Sequence, residues 1–242
     1  MKALILAAGS GNRLRPLTEK IPKTLLELAE NIKILDIIMK NCLQHNIRDF
    51  CIVTGHGHEA LKMHLEKYKQ DNINFELIYN AEYANKGNIY SYYLALQKID
   101  DDYILINSDT IFHADILKNL LAHNSQNALA IDDTKKLSTE EMKVIHKNKK
   151  IEKIHKSLAP ETAHGEYIGV AKFSQHAKKN LLRAFEEVLA QDDSLYYEDA
   201  LQKAIDNNLL IQVVSTNGLP CMEIDTHEDL ANAKKLMPQI CQ

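Results

Sequence analysis

The chain has 242 residues, of which 45% are hydrophobic and 26% are charged. These fractions are typical of globular proteins and exclude a disordered or fibrous class, and the length suffices for an α/β domain with a substantial core. The formal net charge of -4 at pH 7 leaves no basic excess for binding along a nucleic-acid backbone, so we expect no nucleic-acid partner.

Predicted strands and helices alternate along the first half of the chain. An apolar run at Lys2–Ala7, followed by Gly9 and Gly11, indicates a strand buried on both faces of a parallel sheet. Apolar residues then recur at helical spacing over 34–43. The same patterns predict strands at 50–53, 75–79, 103–107 and 128–131, and helices at 59–67, 89–98 and 115–123.

The alternation changes near residue 143. Two short β-like stretches, 144–146 and 151–154, predict a small β excursion from the sheet near 143–156. Strands separated by helices imply right-handed crossovers and a sheet covered on both sides. The sequence therefore predicts a single α/β domain over 1–242, with a doubly wound, mostly parallel sheet and a small β insertion. The remaining predicted elements are strands at 167–173 and 210–214 and helices at 178–189, 198–207 and 227–237.

Cysteine spacing and the N-terminal run bear on localisation. The four cysteines show no CxxC spacing, which disfavours a zinc site or a redox pair and favours free thiols in a reducing compartment. The apolar run of Lys2–Ala7 is too short for a signal sequence or a membrane span. We expect a cytoplasmic protein with no membrane insertion.

A loop of small residues follows the first strand, within the segment LAAGSGNRLRPLTEKIPKTLLEL. Small side chains let backbone N–H groups approach phosphate oxygens closely, and Arg13 and Lys23 supply nearby positive charge. The segment matches neither GxGxxG nor the P-loop pattern, and two glycines alone would favour a simple tight turn with surface cations. The candidate nucleotide-binding residues of this loop are Ala7, Ala8, Gly9, Ser10 and Gly11.

The complete segment resembles the signature of the sugar-phosphate and alcohol-phosphate nucleotidyltransferases, LAAGxGxRLxPLTxxxPKxLLxxx. The resemblance implies a Rossmann-like nucleotidyltransferase fold whose loop wraps a nucleoside triphosphate. It also implies transfer of a nucleoside monophosphate to a phosphorylated acceptor, with release of pyrophosphate. By this resemblance Arg13 binds the β and γ phosphates and Lys23 lies against the reacting phosphates, so we expect both to be catalytic.

Asp109 and Asp225 are the candidate metal ligands. Asp109 follows an apolar strand, at the edge where open α/β sheets bind ligands, and Asp225 precedes the last predicted helix. Each aspartate could instead cap a helix, Asp225 together with Glu228. The resemblance implies the metal role, because that family binds magnesium through an aspartate after a central strand and another near the C-terminal end. Mg²⁺, which prefers carboxylate oxygens, is therefore the expected cofactor.

Further strings are similar to the cytidylyltransferases for choline phosphate and aminoethylphosphonate: KGNIYSYYLAL, HGEYIGVAKFS, YYEDALQKAI and CMEIDTHEDL. This similarity implies CTP as the nucleotide and phosphocholine, phosphoethanolamine or aminoethylphosphonate as the acceptor. Carboxylates and aromatic faces attract an ammonium group, although the same residues could pack a core and open a helix. The similarity places Asn88 and Ser91 near the nucleotide, and Glu166, Tyr196, Tyr197, Glu198 and Asp199 near the acceptor.

One difference from the choline-type relatives leaves the identity of the acceptor undecided. Choline-type relatives commonly carry tryptophan shortly before the EID triplet, where this chain has Cys221 and Met222, and it contains no tryptophan. A primary amine, a phosphonate or a sugar 1-phosphate therefore stays open as acceptor. Two alternative functions follow: a sugar-1-phosphate nucleotidyltransferase using UTP, dTTP or GTP, and a noncatalytic nucleotide-binding regulatory domain. A second copy of the chain is a further possible partner, in a homodimer.

Overall fold

The computed structural model describes residues 1–68 and 72–241, which fold into strands and helices in alternation. The helices are α1 (Ile34–Gln44), α2 (His58–Leu65), α3 (Asn88–Lys98), α4 (Ala114–Ala122), α5 (Lys178–Leu189), α6 (Tyr197–Asp206) and α7 (His227–Ile240). The strands are β1 (Lys2–Ala7), β2 (Glu27–Ala29), β3 (Ile32–Lys33), β4 (Asp49–Thr54), β5 (Asn74–Tyr79), β6 (Tyr103–Asn107), β7 (Thr110–Phe112), β8 (Ala128–Asp132), β9 (Lys143–Lys147), β10 (Lys150–His155), β11 (Gly165–Phe173), β12 (Gln212–Ser215) and β13 (Cys221–Glu223).

Nine of these strands form one central sheet in the order β5-β4-β1-β6-β11-β8-β12-β10-β9. Strands β5, β4, β1 and β6 are parallel neighbours, as are β8 and β12. Strand β11 is antiparallel to both β6 and β8, and β10 is antiparallel to β12 and β9. The predicted α/β class and the mostly parallel sheet are confirmed, with β11 and β10 as the reversed strands.

The prediction that residues 143–156 leave the central sheet is wrong. Strands β9 and β10 form a hairpin whose Lys150 pairs with Gln212 of β12, so the hairpin extends the central sheet at one end. Strand β9 also pairs with the start of β11, where Gly165 lies opposite Val144. The division of the chain into a single domain remains a prediction.

Apolar side chains bury both faces of the sheet. Along β1, Ala3 and Ile5 point into one cluster and Leu4 into the other, as the alternating directions of strand side chains require. The first cluster contains buried residues of α1, α2, α4 and α7, and the second contains those of α3, α5 and α6. Helices therefore cover both faces, which is the doubly wound arrangement that the sequence predicted.

Among residues 1–68 and 72–241, no helix is both long enough and apolar enough to cross a lipid bilayer.

Candidate active site

A two-stranded ladder beside the main sheet brings distant parts of the chain together. Strands β7 and β13 pair antiparallel, with Thr110 opposite Glu223. The ladder continues where the Ile224 amide donates a hydrogen bond of 2.9 Å to the Asp109 carbonyl. Asp109 and Asp225 are consequently neighbours, just beyond the carboxyl end of β6.

Lys23 and Arg13 join these two aspartates in one ionic cluster. The Lys23 ammonium lies 2.7 Å from Asp109 Oδ2 and 2.6 Å from Asp225 Oδ1, and Arg13 Nη2 lies 2.7 Å from Asp225 Oδ2. Burial disfavours the ammonium form of Lys23, but the two carboxylates outweigh that effect and raise its pKa above the ordinary value. The structure thus brings the two predicted catalytic cations and the two predicted metal ligands into contact.

Neither aspartate caps a helix with its side chain. His113 is the N-cap of α4, where its Nδ1 accepts from the Asp115 amide at 3.1 Å. Helix α7 begins with a reciprocal capping box, in which the Asp229 amide donates to Thr226 Oγ1 and the Thr226 amide donates to Asp229 Oδ2. The capping alternative is therefore wrong for both residues, and their carboxylates face the cleft.

Glu223 is a third carboxylate at this point, which the sequence reasoning missed. Three carboxylate oxygens, one each from Asp109, Glu223 and Asp225, lie within 4.8 Å of one another. The charge of Asp109, followed by that of Asp225, raises the pKa of Glu223 to about 8. Three hard oxygen donors with an excess of negative charge match the ligand preference of Mg²⁺, so the residues present fit a divalent cation.

The cluster lies at the base of a cavity of about 440 Å³ formed by the loop after β1. Gly11 adopts a φ of 59°, a left-handed conformation that favours glycine, at the start of a 3-10 turn. A Cβ atom added at Gly9 would meet nothing within 4 Å, so the space above this backbone is open to a ligand. The predicted nucleotide-binding residues that line this cavity are Ala7, Gly9, Ser10, Gly11 and Asn88.

Two predicted nucleotide contacts lie behind this surface instead. Ala8 is 5% exposed, and its carbonyl accepts a hydrogen bond from the His56 amide. Ser91 is 4% exposed and accepts a hydrogen bond of 2.9 Å from Asn80 Nδ2. Neither side chain lines the cavity and both support its wall, so contact of either residue with a nucleotide stays a prediction.

A second cavity of about 440 Å³ adjoins the first and shares Arg13, Asn88, Tyr196 and Asp225 with it, among other residues. We call the first cavity the loop half and the second the acidic half of the cleft. The name of the acidic half comes from the carboxylates that line it and not the loop half, Asp132, Glu140, Glu141, Glu166, Glu198 and Asp229.

Three of the predicted acceptor residues line the acidic half: Glu166, Tyr196 and Glu198. Glu166 forms an ion pair of 2.8 Å with Lys135, and burial raises the pKa of Glu166 despite that cation. Glu198 is 5% exposed, and its Oε2 is buried without a hydrogen-bond partner. Burial raises the pKa of Glu198 to about 7.

The other two acceptor predictions are wrong as direct contacts. Tyr197 is fully buried, and its hydroxyl lies 3.0 Å from Asn107 Oδ1. Asp199 accepts a hydrogen bond of 3.0 Å from the Tyr196 amide in the first turn of α6 and pairs with His155 at 3.4 Å. Packing and helix capping, the alternatives open to the sequence, are the roles that the structure gives these two residues.

The sequence reasoning missed two further residues of the cleft. Asn107, at the end of β6, lines both halves of the cleft. Lys156 lines the acidic half, with its ammonium 4.8 Å from the centre of the Tyr196 ring. The position of Asn107 at the carboxyl end of a central strand could have identified it, since ligands bind at that edge.

Comparison with known families identifies the chemistry. The model of the nucleotidyl transferase family matches residues 2–141, which contain the loop, Lys23 and Asp109. The chain belongs to the nucleotidyl transferase family. The sequence resemblance is thereby confirmed at the level of the family.

Similar proteins extend this nucleotidyl transferase assignment over the rest of the chain. A phosphoglutamine cytidylyltransferase of Campylobacter jejuni is 27% identical over 95% of this chain and 98% of its own. A choline-phosphate cytidylyltransferase of Streptococcus pneumoniae is 25% identical and covers 98% of both chains. A bifunctional IPC transferase and DIPP synthase of Aquifex aeolicus is 28% identical over 97% of this chain, which spans only 51% of that protein.

A solved structure supports the fold. The inositol-1-phosphate CTP transferase from T. maritima superposes with a TM-score of 0.84, over 100% of this chain and 96% of that chain, at 21% identity. The Rossmann-like nucleotidyltransferase fold is thus confirmed.

Proposed function

We propose that this nucleotidyl transferase moves CMP from CTP to a small phosphorylated or phosphonate acceptor that carries an amine, and releases pyrophosphate. The observation that carries the proposal is a cleft with two adjoining halves that share Asp225 and Arg13 of the ionic cluster, while Lys23 and Asp109 line the loop half. A group can be passed from one bound molecule to another only where two ligands can be held side by side. The names of the Campylobacter and Streptococcus relatives support CTP as the donor.

The loop half suits the triphosphate. Its open backbone at Gly9 and the exposed guanidinium of Arg13 offer N–H donors and positive charge to phosphate oxygens. Lys23 lies deeper in the loop half, paired with Asp225, which lines both halves, and we place the reacting α phosphate beside it. Its pKa keeps it fully protonated at neutral pH, so it can neutralise charge on that phosphate throughout the reaction.

Asp109 and Asp225, with Glu223, would hold Mg²⁺. When bound there, the ion would supply neutralising charge for the phosphates of the donor. Lys23 pairs with both of these aspartates, so its ammonium would be free to turn toward the substrate phosphates when the carboxylates hold the ion. In this proposal the acceptor's own phosphate oxygen forms the new bond to the α phosphorus as the bond to pyrophosphate breaks, so no protein nucleophile is needed.

The acidic half suits an amine-bearing acceptor. Glu166 is already paired with Lys135, whereas Glu198 has a buried oxygen without a partner and lies beside the exposed ring of Tyr196. A buried carboxylate next to an aromatic face attracts an ammonium group. Lys156 also lines the acidic half, with its ammonium 4.8 Å from the centre of the same ring, and would offer positive charge to the acceptor phosphate.

A pyrophosphate-release screen tests the proposal. It crosses CTP, UTP, dTTP and GTP with phosphocholine, phosphoethanolamine, aminoethylphosphonate and glucose 1-phosphate. We expect the fastest release from CTP with one of the amine-bearing acceptors. If UTP or dTTP with glucose 1-phosphate is best, the chain is a sugar-nucleotide enzyme, and if no pair reacts, the noncatalytic alternative replaces this proposal.

A further inference from the structure

Asn107 lies at the boundary between the two halves of the cleft. It ends the central strand β6, lines both cavities, and stands two residues before Asp109. In the proposed reaction, the phosphoryl group that is transferred passes across this boundary. A side-chain amide here is therefore within the region where negative charge moves between the two substrates.

The Asn107 amide has a fixed orientation. The Tyr197 hydroxyl donates a hydrogen bond of 3.0 Å to Asn107 Oδ1, which sets the carbonyl side of the amide toward the core. Tyr197 is itself fully buried, and its hydroxyl lies 3.2 Å from that of Tyr167. The amide nitrogen, in contrast, donates to no protein group in the described chain, so its N–H groups are available to a ligand.

Strand β11 makes room for this amide. Its pairing with β8 is interrupted between Tyr167 and Ala171, where Gly169 adopts a φ of 74°. A Cβ atom at Gly169 would lie only 2.5 Å from Asn107 Nδ2. A bulge with glycine in a left-handed conformation thus holds one side of the amide while Tyr197 holds the other.

We propose that Asn107 donates a hydrogen bond to the transferred phosphoryl group and that Tyr197 is a positioning residue that orients the Asn107 amide for it. A preorganised donor of this kind stabilises charge that develops in the transition state more than charge in the bound substrates. It therefore raises kcat rather than substrate affinity. This inference rests on the proposed function, because it needs a phosphoryl group at the boundary.

The test compares the steady-state kinetics of Asn107→Ala, Tyr197→Phe, the double variant and Tyr103→Phe, with the best substrate pair of the screen. Tyr103→Phe is the matched control, because the buried Tyr103 hydroxyl bonds that of Tyr92 at 2.6 Å instead of a cleft residue. Asn107→Ala should lower kcat on the order of 10²-fold, and Tyr197→Phe about tenfold, with both KM values within about twofold. The double variant should be no slower than Asn107→Ala, since Tyr197 acts through Asn107.

Melting temperatures separate positioning from general stability. Tyr197→Phe and Tyr103→Phe should lower the melting temperature by similar amounts, while only Tyr197→Phe lowers kcat. Equal losses of kcat in both, or an unchanged kcat in Asn107→Ala, would overturn the inference and leave the proposed function intact. A wild-type chain that transfers nothing in the screen would instead overturn both.

Discussion

The ammonium of Lys23 lies 2.6 Å from Asp225 Oδ1, a contact that spans 202 positions of sequence. It ties the loop after the first strand to the turn before the last helix. The same ammonium reaches Asp109, so a single side chain is the partner of both candidate metal ligands. The catalytic and the metal predictions are therefore coupled.

We expect Lys23→Ala to lower kcat by roughly 10² to 10³-fold, because one positioned cation on a reacting phosphoryl group contributes about 3 to 4 kcal/mol. Steady-state kinetics with the best substrate pair measure this. Arg13→Ala, the control at the more exposed cation, should chiefly raise the KM for the nucleotide. A loss of less than about tenfold for Lys23→Ala, or roughly 1.4 kcal/mol, would exclude the assigned role.

Asp109→Asn, Glu223→Gln and Asp225→Asn should each weaken binding of a divalent cation. Mn²⁺ titration followed by electron paramagnetic resonance measures this without requiring turnover. Asp229→Asn is a suitable comparison, because that carboxylate caps α7 rather than belonging to the three-carboxylate group. Unchanged Mn²⁺ affinity in all three variants, or full activity in EDTA, would contradict the metal assignment.

Glu198→Gln should raise the KM for an amine-bearing acceptor and leave that for CTP unchanged, since the buried carboxylate is assigned to the ammonium. Asp199→Asn changes the neighbouring carboxylate, which lies outside the cleft, and should cost stability of α6 but not acceptor affinity. If both variants or neither changed the acceptor KM, Glu198 would not be the ammonium partner.

The buried carboxyl group of Glu198 should also make the stability of the folded protein depend on pH. Burial raises the pKa of Glu198 from 4.5 to about 7, so its stabilising contribution is full below pH 4.5 and is lost as the pH rises through 7. Glu198→Gln should consequently gain stability over the wild type between pH 5 and pH 8, by up to about 3 kcal/mol. Urea unfolding at these two pH values measures the difference. A difference that does not change with pH would contradict it.

Gly9→Ala should weaken nucleotide binding without destabilising the fold, because the added Cβ meets no protein atom but enters the space above the loop. Gly55→Ala is the converse control, since its Cβ would lie 2.6 Å from Tyr83 and 2.7 Å from the Ala8 carbonyl. Calorimetric titration with CTP and thermal melts separate the two effects. Normal CTP affinity in Gly9→Ala would mean that the phosphates do not approach this backbone.

Sequence patterns predicted the long elements well because hydrophobic periodicity is local. They missed β7 and β13, which have three residues each and too little pattern to be recognised. The pairing of these two strands is what aligns Asp109 and Asp225, and it also brings Glu223 to the site. Long-range pairing of this kind has no signal in a single sequence.

The predictions of site residues also succeeded where the signal was local and failed where long-range packing decides. Lys23 and Arg13 were identified because a dense motif surrounds them, whereas Tyr197 and Asp199 were assigned from a string whose residues alternate between core, cap and cleft. Only the packing of α6 decides which of these adjacent side chains faces the cleft. Glu198 and Tyr196 do, and Tyr197 supports Asn107 from behind.

Phosphorus NMR of a reaction with CTP, Mg²⁺ and phosphocholine or phosphoethanolamine tests the central claim most directly. The account predicts two coupled diphosphate resonances from the new CDP-linked product, with pyrophosphate formed in equal amount. Unchanged CTP with both of these acceptors and with aminoethylphosphonate, or hydrolysis of CTP to CDP and orthophosphate, would contradict it.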